Sequence, residues 1–150
     1  MDDPGFLLPD VDDALTAPFW AGCARGELLM QRFTASGRYA WPPRPMDPHS
    51  RTLDHEWVRV SGRGTVYSFV VPHPPLLDAY AAVAPYNVVL VTLADDPTLR
   101  MVGNLVTSPT GAIDEIDPAT ITIGEPVQVV FADVDGVALP RWMRVQPQHR

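Results

Sequence analysis

The stretch Arg32-Phe33-Thr34-Ala35-Ser36-Gly37-Arg38-Tyr39-Ala40-Trp41-Pro42-Pro43-Arg44-Pro45-Met46-Asp47-Pro48-His49-Ser50 is laid out as a metal knuckle with the metal ligands removed. A knuckle that holds one tetrahedral zinc draws on two Cys-x-x-Cys pairs. In that frame the ligand positions hold Phe33 and Ser36 in the first pair and Asp47 and Ser50 in the second, while Gly37 and the turn-shaping prolines are kept. The scaffold is expected to remain without its metal, and no cofactor is expected in its place.

Working outward, Thr16 reads as the cap of a short helix with Pro18 at an early, permitted position, Phe19, Trp20 and Cys23 on one side and Gly26 as its stop. Residues 1–9 read as a disordered lead-in. Glu27 to Phe33 reads as a strand entering the ribbon and Tyr39 to Arg44 as its return. Trp41 is held extended by the proline after it. It forms either a stiff contact ledge with Pro42 and Pro43 or a cover over the open side of a barrel. Beyond residue 54 the alternation of β-branched and aromatic residues with glycine turns predicts five or six short antiparallel strands. These are His55–Val60, Thr65–Val71, Tyr86–Leu93, Leu99–Thr107, Pro126–Ala132 and Val137–Val145. The segment from His73 to Pro85 carries a short helical piece at Leu76–Ala82 and stands where a lid is expected. The fold class is mainly β: a small OB-fold-like antiparallel barrel at 55–150, an N-terminal lead-in and helix at 1–26, and a degenerate, metal-free zinc-ribbon (rubredoxin-like) segment at 27–54.

Composition narrows the chemistry. A chain of 150 residues, 46% hydrophobic, buries a sizeable core without disulfides or metal. Its single cysteine, Cys23, excludes an internal disulfide framework and fits a reducing compartment. No apolar run approaches the roughly 18 residues of a membrane span, and the start Met1-Asp2-Asp3-Pro4 lacks the positive charge of a signal peptide. A cytoplasmic location is expected.

All eleven basic residues are arginine, which excludes lysine Schiff-base or general-base chemistry. Seven of them, from Arg25 to Arg63, face four acids in that span, a net of +3; the remainder has four arginines and fourteen acids, a net of −10, and the two make the overall −7. Arginine forks bind carboxylates and phosphates bidentately, so this patch meets an acidic protein surface or coenzyme A phosphates, or is simply a solvated face. The acidic barrel half argues against nucleic acid, which needs a continuous cationic path.

The catalytic inventory is thin. His49, His55, His73 and His149 lie in no nucleophile, base and acid pattern, and Cys23 has no neighbouring histidine. Asp47, His49, Asp54 and His55 have the wrong spacing for a substitute metal site. Asp95-Asp96 and Asp133-Val134-Asp135 read as turn carboxylates.

The segments Pro18-Phe19-Trp20, Gly26-Glu27-Leu28, Gln31-Arg32, Pro42-Pro43-Arg44 and Trp57-Val58 are followed by Ser61-Gly62-Arg63-Gly64-Thr65-Val66-Tyr67-Ser68-Phe69. Pro85-Tyr86, Gly103-Asn104-Leu105-Val106, Ile123-Gly124 and Leu139-Pro140-Arg141-Trp142 complete the series. In this order they resemble the acyl-CoA-associated zinc-ribbon/OB-fold family, domain of unknown function thirty-five. The resemblance covers nearly the whole chain and departs at the four ligand positions. It implies association, as a hetero-oligomer, with thiolase-superfamily enzymes, including lipid-transfer-protein-like aldolases that cleave steroid CoA esters. With no reactive constellation in the chain, the expectation is a non-catalytic accessory subunit, not an enzyme, that binds and stabilises such a partner. Direct binding of an acyl-CoA is the alternative. The residues expected at the contact are Trp20, Arg32, Trp41, Pro43, Arg44, Arg63, Tyr67 and Tyr86, with no nucleic acid and no membrane among the partners.

Overall fold

In a computed structural model, which describes residues 5–146, the first element is a helix, α1 (Ala17–Ala24). Thr16 occupies the cap position, but its hydroxyl makes no bond to the helix. The entry is organised one step earlier by Asp13, whose carboxylate accepts from the Leu15 and Thr16 amides at 3.0 and 3.3 Å and whose carbonyl accepts from Ala17 N–H at 2.7 Å. The exit is a left-handed Gly26, with Gly26 N–H donating to Cys23 O and Glu27 N–H to Gly22 O, so orphan carbonyls at the helix end are satisfied. Part of the expected loose lead-in is packed: the Phe6 ring lies 5.0 Å from that of Tyr80. The acidic start Met1-Asp2-Asp3-Pro4 and His149 lie outside the described residues.

The ribbon is a three-stranded sheet of β1 (Leu29–Phe33), β2 (Tyr39–Ala40) and β3 (His55–Arg59), in the order β2-β1-β3. β3 corrects one expectation. The sequence pattern places His55–Val60 first among the barrel strands, but the strand runs His55–Arg59 and pairs antiparallel with β1 from Leu29↔Arg59 to Phe33↔His55. Its polar ends are exposed and only Trp57 and Val58 are partly covered, a pattern that suits a sheet edge rather than a barrel stave.

The barrel is built from β4 (Arg63–Val70), β5 (Val88–Leu93), β6 (Arg100–Gly103), β7 (Pro126–Val134) and β8 (Val137–Arg144), in the order β6-β5-β4-β7-β8. The sheet curls until Leu105 bridges Trp142 in parallel, with Trp142 N–H donating to Asn104 O and Val106 N–H to Trp142 O. Five antiparallel strands with one parallel closure make an OB-fold. Inside lie Val66, Val89, Val91, Leu93, Met101, Leu105, Val127 and Trp142, all essentially without solvent contact. Gly64 is required where β4 crosses β5, since a Cβ there would sit 2.5 Å from Thr92 O. Asp135 and Gly136, both at positive φ, form the tight β7–β8 turn. Asp95 does more than turn a hairpin: it accepts from the Ser61 amide and, at 2.6 Å, from its hydroxyl, which ties the ribbon-to-barrel link to the β5–β6 turn.

Asn87 holds the closure. It is fully buried; its Nδ2 donates to Leu105 O at 2.9 Å and its Oδ1 accepts from Leu105 N–H at 2.6 Å. Asn87→Ala strands a buried donor and a buried acceptor, and a loss of about 2–4 kcal/mol is expected in urea denaturation, with the midpoint shifted and the slope unchanged.

Candidate functional site

Three of the four vacated ligand positions meet in space. Asp47 is buried; its Oδ2 accepts from the Ser50 hydroxyl at 2.7 Å and its Oδ1 from His49 N–H at 2.9 Å, and the Ser36 hydroxyl stands beside the carboxylate. The Ser50 hydroxyl is also 2.7 Å from that of Thr52. The nearby Ser36 hydroxyl is the largest cause holding the Asp47 carboxyl well below the usual carboxylate range; burial opposes it, and the His49 amide and the Ser50 hydroxyl and amide assist. Phe33, the fourth position, is buried, with its ring 6.0 Å from that of His55. One carboxylate, two hydroxyls and a phenyl ring do not fit a tetrahedral zinc, whose ribbon ligands are thiolates and imidazoles. Among the described residues no group of three or more His, Cys, Asp or Glu side chains is placed to hold a metal ion.

A second fastening escaped the sequence reading. Gln31, in the middle of β1 and fully buried, donates from Nε2 to Arg44 O and accepts from Arg44 N–H, both at 2.8 Å. The available signal was a lone amide side chain in the middle of an apolar strand, since a buried amide needs partners for both ends.

These fastenings shape a groove of about 680 Å³ between the ribbon and the β5–β6 turn. Arg38, Tyr39, Trp41, Arg44 and His49 line it from one side and Asp96, Thr98 and Leu99 from the other. Arg38 Nη1 lies 2.8 Å from His49 Nε2, so the imidazole accepts there and carries its proton on Nδ1. The Arg44 side chain is exposed and has no carboxylate within ion-pairing distance among the described residues.

The candidate residues fall in several places. Trp41 and Arg44 border the groove. Trp41 is half-buried, its ring 4.5 Å from Phe19, and with Trp20 it also lines a smaller apolar cleft. Pro43 is buried. Arg32 is engaged within the ribbon, donating from Nε to Gly37 O at 3.1 Å and lying over the Tyr39 ring. Arg63 is exposed on β4, outside the groove. Tyr67 is half-exposed with the Arg100 guanidinium 4.0 Å from its ring centre. Tyr86 is buried beside Val106 and Ile113; burial, and then Tyr80, push its phenol upward. Cys23 is buried in α1, its thiol pushed up to about 12 by burial, which leaves it no thiolate for nucleophilic work.

A ribbon fastened by a carboxylate instead of a metal, seated on a five-stranded OB barrel with a cationic and aromatic groove at the seam, defines the class of protein. Residues 57–132 match the C-terminal OB-fold domain of ChsH2, and the chain belongs to that family. It is similar to the 3-oxo-4,17-pregnadiene-20-carboxyl-CoA hydratase alpha subunit of Mycobacterium tuberculosis, at 35% identity over 140 residues covering 93% of this chain and 41% of that protein. It is also similar to a DUF35 domain-containing scaffold protein of Methanothermobacter thermautotrophicus, at 33% identity over 99 residues covering 65% of this chain and 66% of that one. Among solved structures, the Ltp2-ChsH2(DUF35) aldolase aligns with a TM-score of 0.72 and 30% identity, covering 91% of this chain and 98% of that one. The chain spans about two fifths of the length of the hydratase subunits it matches.

These likenesses correct one expectation. A protein outside catalysis was inferred from the lack of a nucleophile, base and acid set, yet its relatives are named as a hydratase subunit and an aldolase. An inventory of one chain misjudges an enzyme whose site is assembled from several, because the reacting groups need not all lie on the chain in view.

Two outcomes follow from the knuckle. Because the Asp47 pKa is depressed in the fold, the order it confers is full above about 3.8, its ordinary value, and is lost as the pH falls through the lower folded value. Protection of the His49 and Ser50 amides against hydrogen exchange, relative to their intrinsic rates, should therefore fall in acid, whereas in Asp47→Ala it should be lost already at neutral pH. Replacing Phe33, Ser36, Asp47 and Ser50 together by cysteine should restore about one zinc per chain, as elemental analysis would register.

Proposed function

We propose that this chain is a component of a heteromeric acyl-CoA-transforming enzyme, paired with a thiolase-like, lipid-transfer-protein-like subunit and working in the cytoplasm as part of the catalytic unit. The observation that carries this reading is the match to nearly the full length of a chain of the Ltp2-ChsH2(DUF35) aldolase, an enzyme named for two components. In this reading the ribbon and barrel stabilise the partner and help shape or cover its acyl-CoA tunnel, and the substrate class is a steroid or comparably apolar CoA ester.

The physical features agree. Trp41 is rigidly held on Phe19 and carries a large apolar surface at little entropic cost, while Arg44 stands beside it without a counter-ion among the described residues. A second reading draws on the groove itself: Arg38 and Arg44 flank Tyr39 and Trp41, which suits phosphates beside an aromatic base, so the CoA ester binds this chain directly.

Co-expression with a thiolase-like, lipid-transfer-protein-like subunit from the same organism should give one species on size exclusion with light scattering. Arg44→Glu should weaken that association by about tenfold; separate elution of the two unaltered proteins would sink the proposal. Calorimetry with a CoA ester separates the readings, since the first expects little heat until the partner is present and the second expects saturable heat from the isolated chain.

A further inference from the structure

Beside the groove, and sharing Trp41 as a wall, lies a second cavity of about 280 Å³ whose lining is predominantly apolar: Phe6, Trp20, Trp41, Tyr80 and Ile113 surround it, and Arg141 from β8 enters it. Arg141 is half-buried, and among the described residues its one side-chain bond is a 3.3 Å contact from Nη1 to Gly111 O. The ion pairs among the described residues engage Arg25, Arg59 and Arg144, all at the surface, so no carboxylate of the described residues lies within ion-pairing distance of Arg141. Withdrawal from water lowers the pKa of this guanidinium. A cation drawn into an apolar cleft without a counter-charge is costly unless an anion joins it.

We infer that this cleft binds a small free carboxylic acid, its carboxylate on the Arg141 guanidinium and its apolar body against Trp20, Trp41 and Ile113. One guanidinium matches one monovalent carboxylate; a phosphate dianion calls for more donors than the lining offers. The volume lies just under the roughly 300–1,000 Å³ of ordinary small-molecule sites, so the ligand is a single compact ring system or a chain of moderate length. Entry is available. Residues 5–9, which bring Phe6 over the cleft, make no backbone hydrogen bonds to the barrel among the described residues, and the backbone bonds of 77–84, around Tyr80, are local. Both segments are held by side-chain packing, Phe6 on Tyr80 and Tyr80 on Tyr86.

The test uses octanoate and its neutral counterpart octanamide, titrated into the full chain by calorimetry with tryptophan fluorescence alongside. Saturable octanoate binding, at least tenfold tighter than octanamide, is expected. Arg141→Gln should bring octanoate down to the affinity of octanamide while leaving octanamide unchanged. Val102→Trp, at an exposed rim position with Arg141 intact, should block both ligands. Equal affinities in the unaltered chain, no saturable signal for octanoate, or a preference for the acid that persists in folded Arg141→Gln or in Val102→Trp would each overturn the assignment.

Discussion

The carboxylate of Asp47 is the constraint on which the ribbon depends. It accepts from the Ser50 hydroxyl and the His49 amide, and the Ser36 hydroxyl of the first turn stands beside it, so the two turns that a zinc ion would otherwise join meet at one carboxylate. A buried carboxylate is unfavourable unless its lone pairs are met, and here the His49 and Ser50 donors meet them, so the second turn cannot open without leaving a buried charge unpaired. The same closure sets the course of residues 41–46 along the barrel, where Gln31 fastens the Arg44 backbone.

From that fastening the two cavities follow. Trp41 is placed on Phe19 of the helix, and its ring becomes a wall common to the cationic groove and the apolar cleft. The barrel contributes its rigid side: the β5–β6 turn at Asp96–Leu99 forms the far bank of the groove, and β8 carries Arg141 into the cleft. The barrel is in turn held closed by Asn87 and by Trp142, whose backbone pairs with Asn104 and Val106 while its side chain is fully buried. Polar work at the seam is thus supported by apolar work behind it, as expected for a binding surface built on a scaffold that moves little.

Much of the fold was legible in residue order. The β-branched alternation and turn signals marked all five barrel strands, and Asp135-Gly136 announced its hairpin. Misreadings had physical causes. His55–Arg59 has strand propensity but no feature that says which sheet will accept it, and pairing was decided by the edge that β1 left open. Thr16 does stand at the cap position, but its hydroxyl makes no bond to the helix, because Asp13, three residues earlier, organises the preceding turn through the Leu15 and Thr16 amides. Among the candidate site residues, Trp41 and Arg44 came together at the groove while Arg32, Tyr67 and Tyr86 were drawn to separate partners, since a residue type announces its chemistry but not its neighbours.

Residue order alone determined that the knuckle has no thiolates, that the chain has arginine but no lysine, that a β-rich barrel follows, and which family these features resemble; all are local properties of composition and spacing. Only the tertiary structure decided that Ser36 and Ser50 meet at Asp47, that Gln31 grips a loop thirteen residues away, and that Arg141 lies in an apolar cleft without a carboxylate partner among the described residues. The physical reason is that hydrogen bonding and desolvation depend on distances across the fold, which chain separation does not encode.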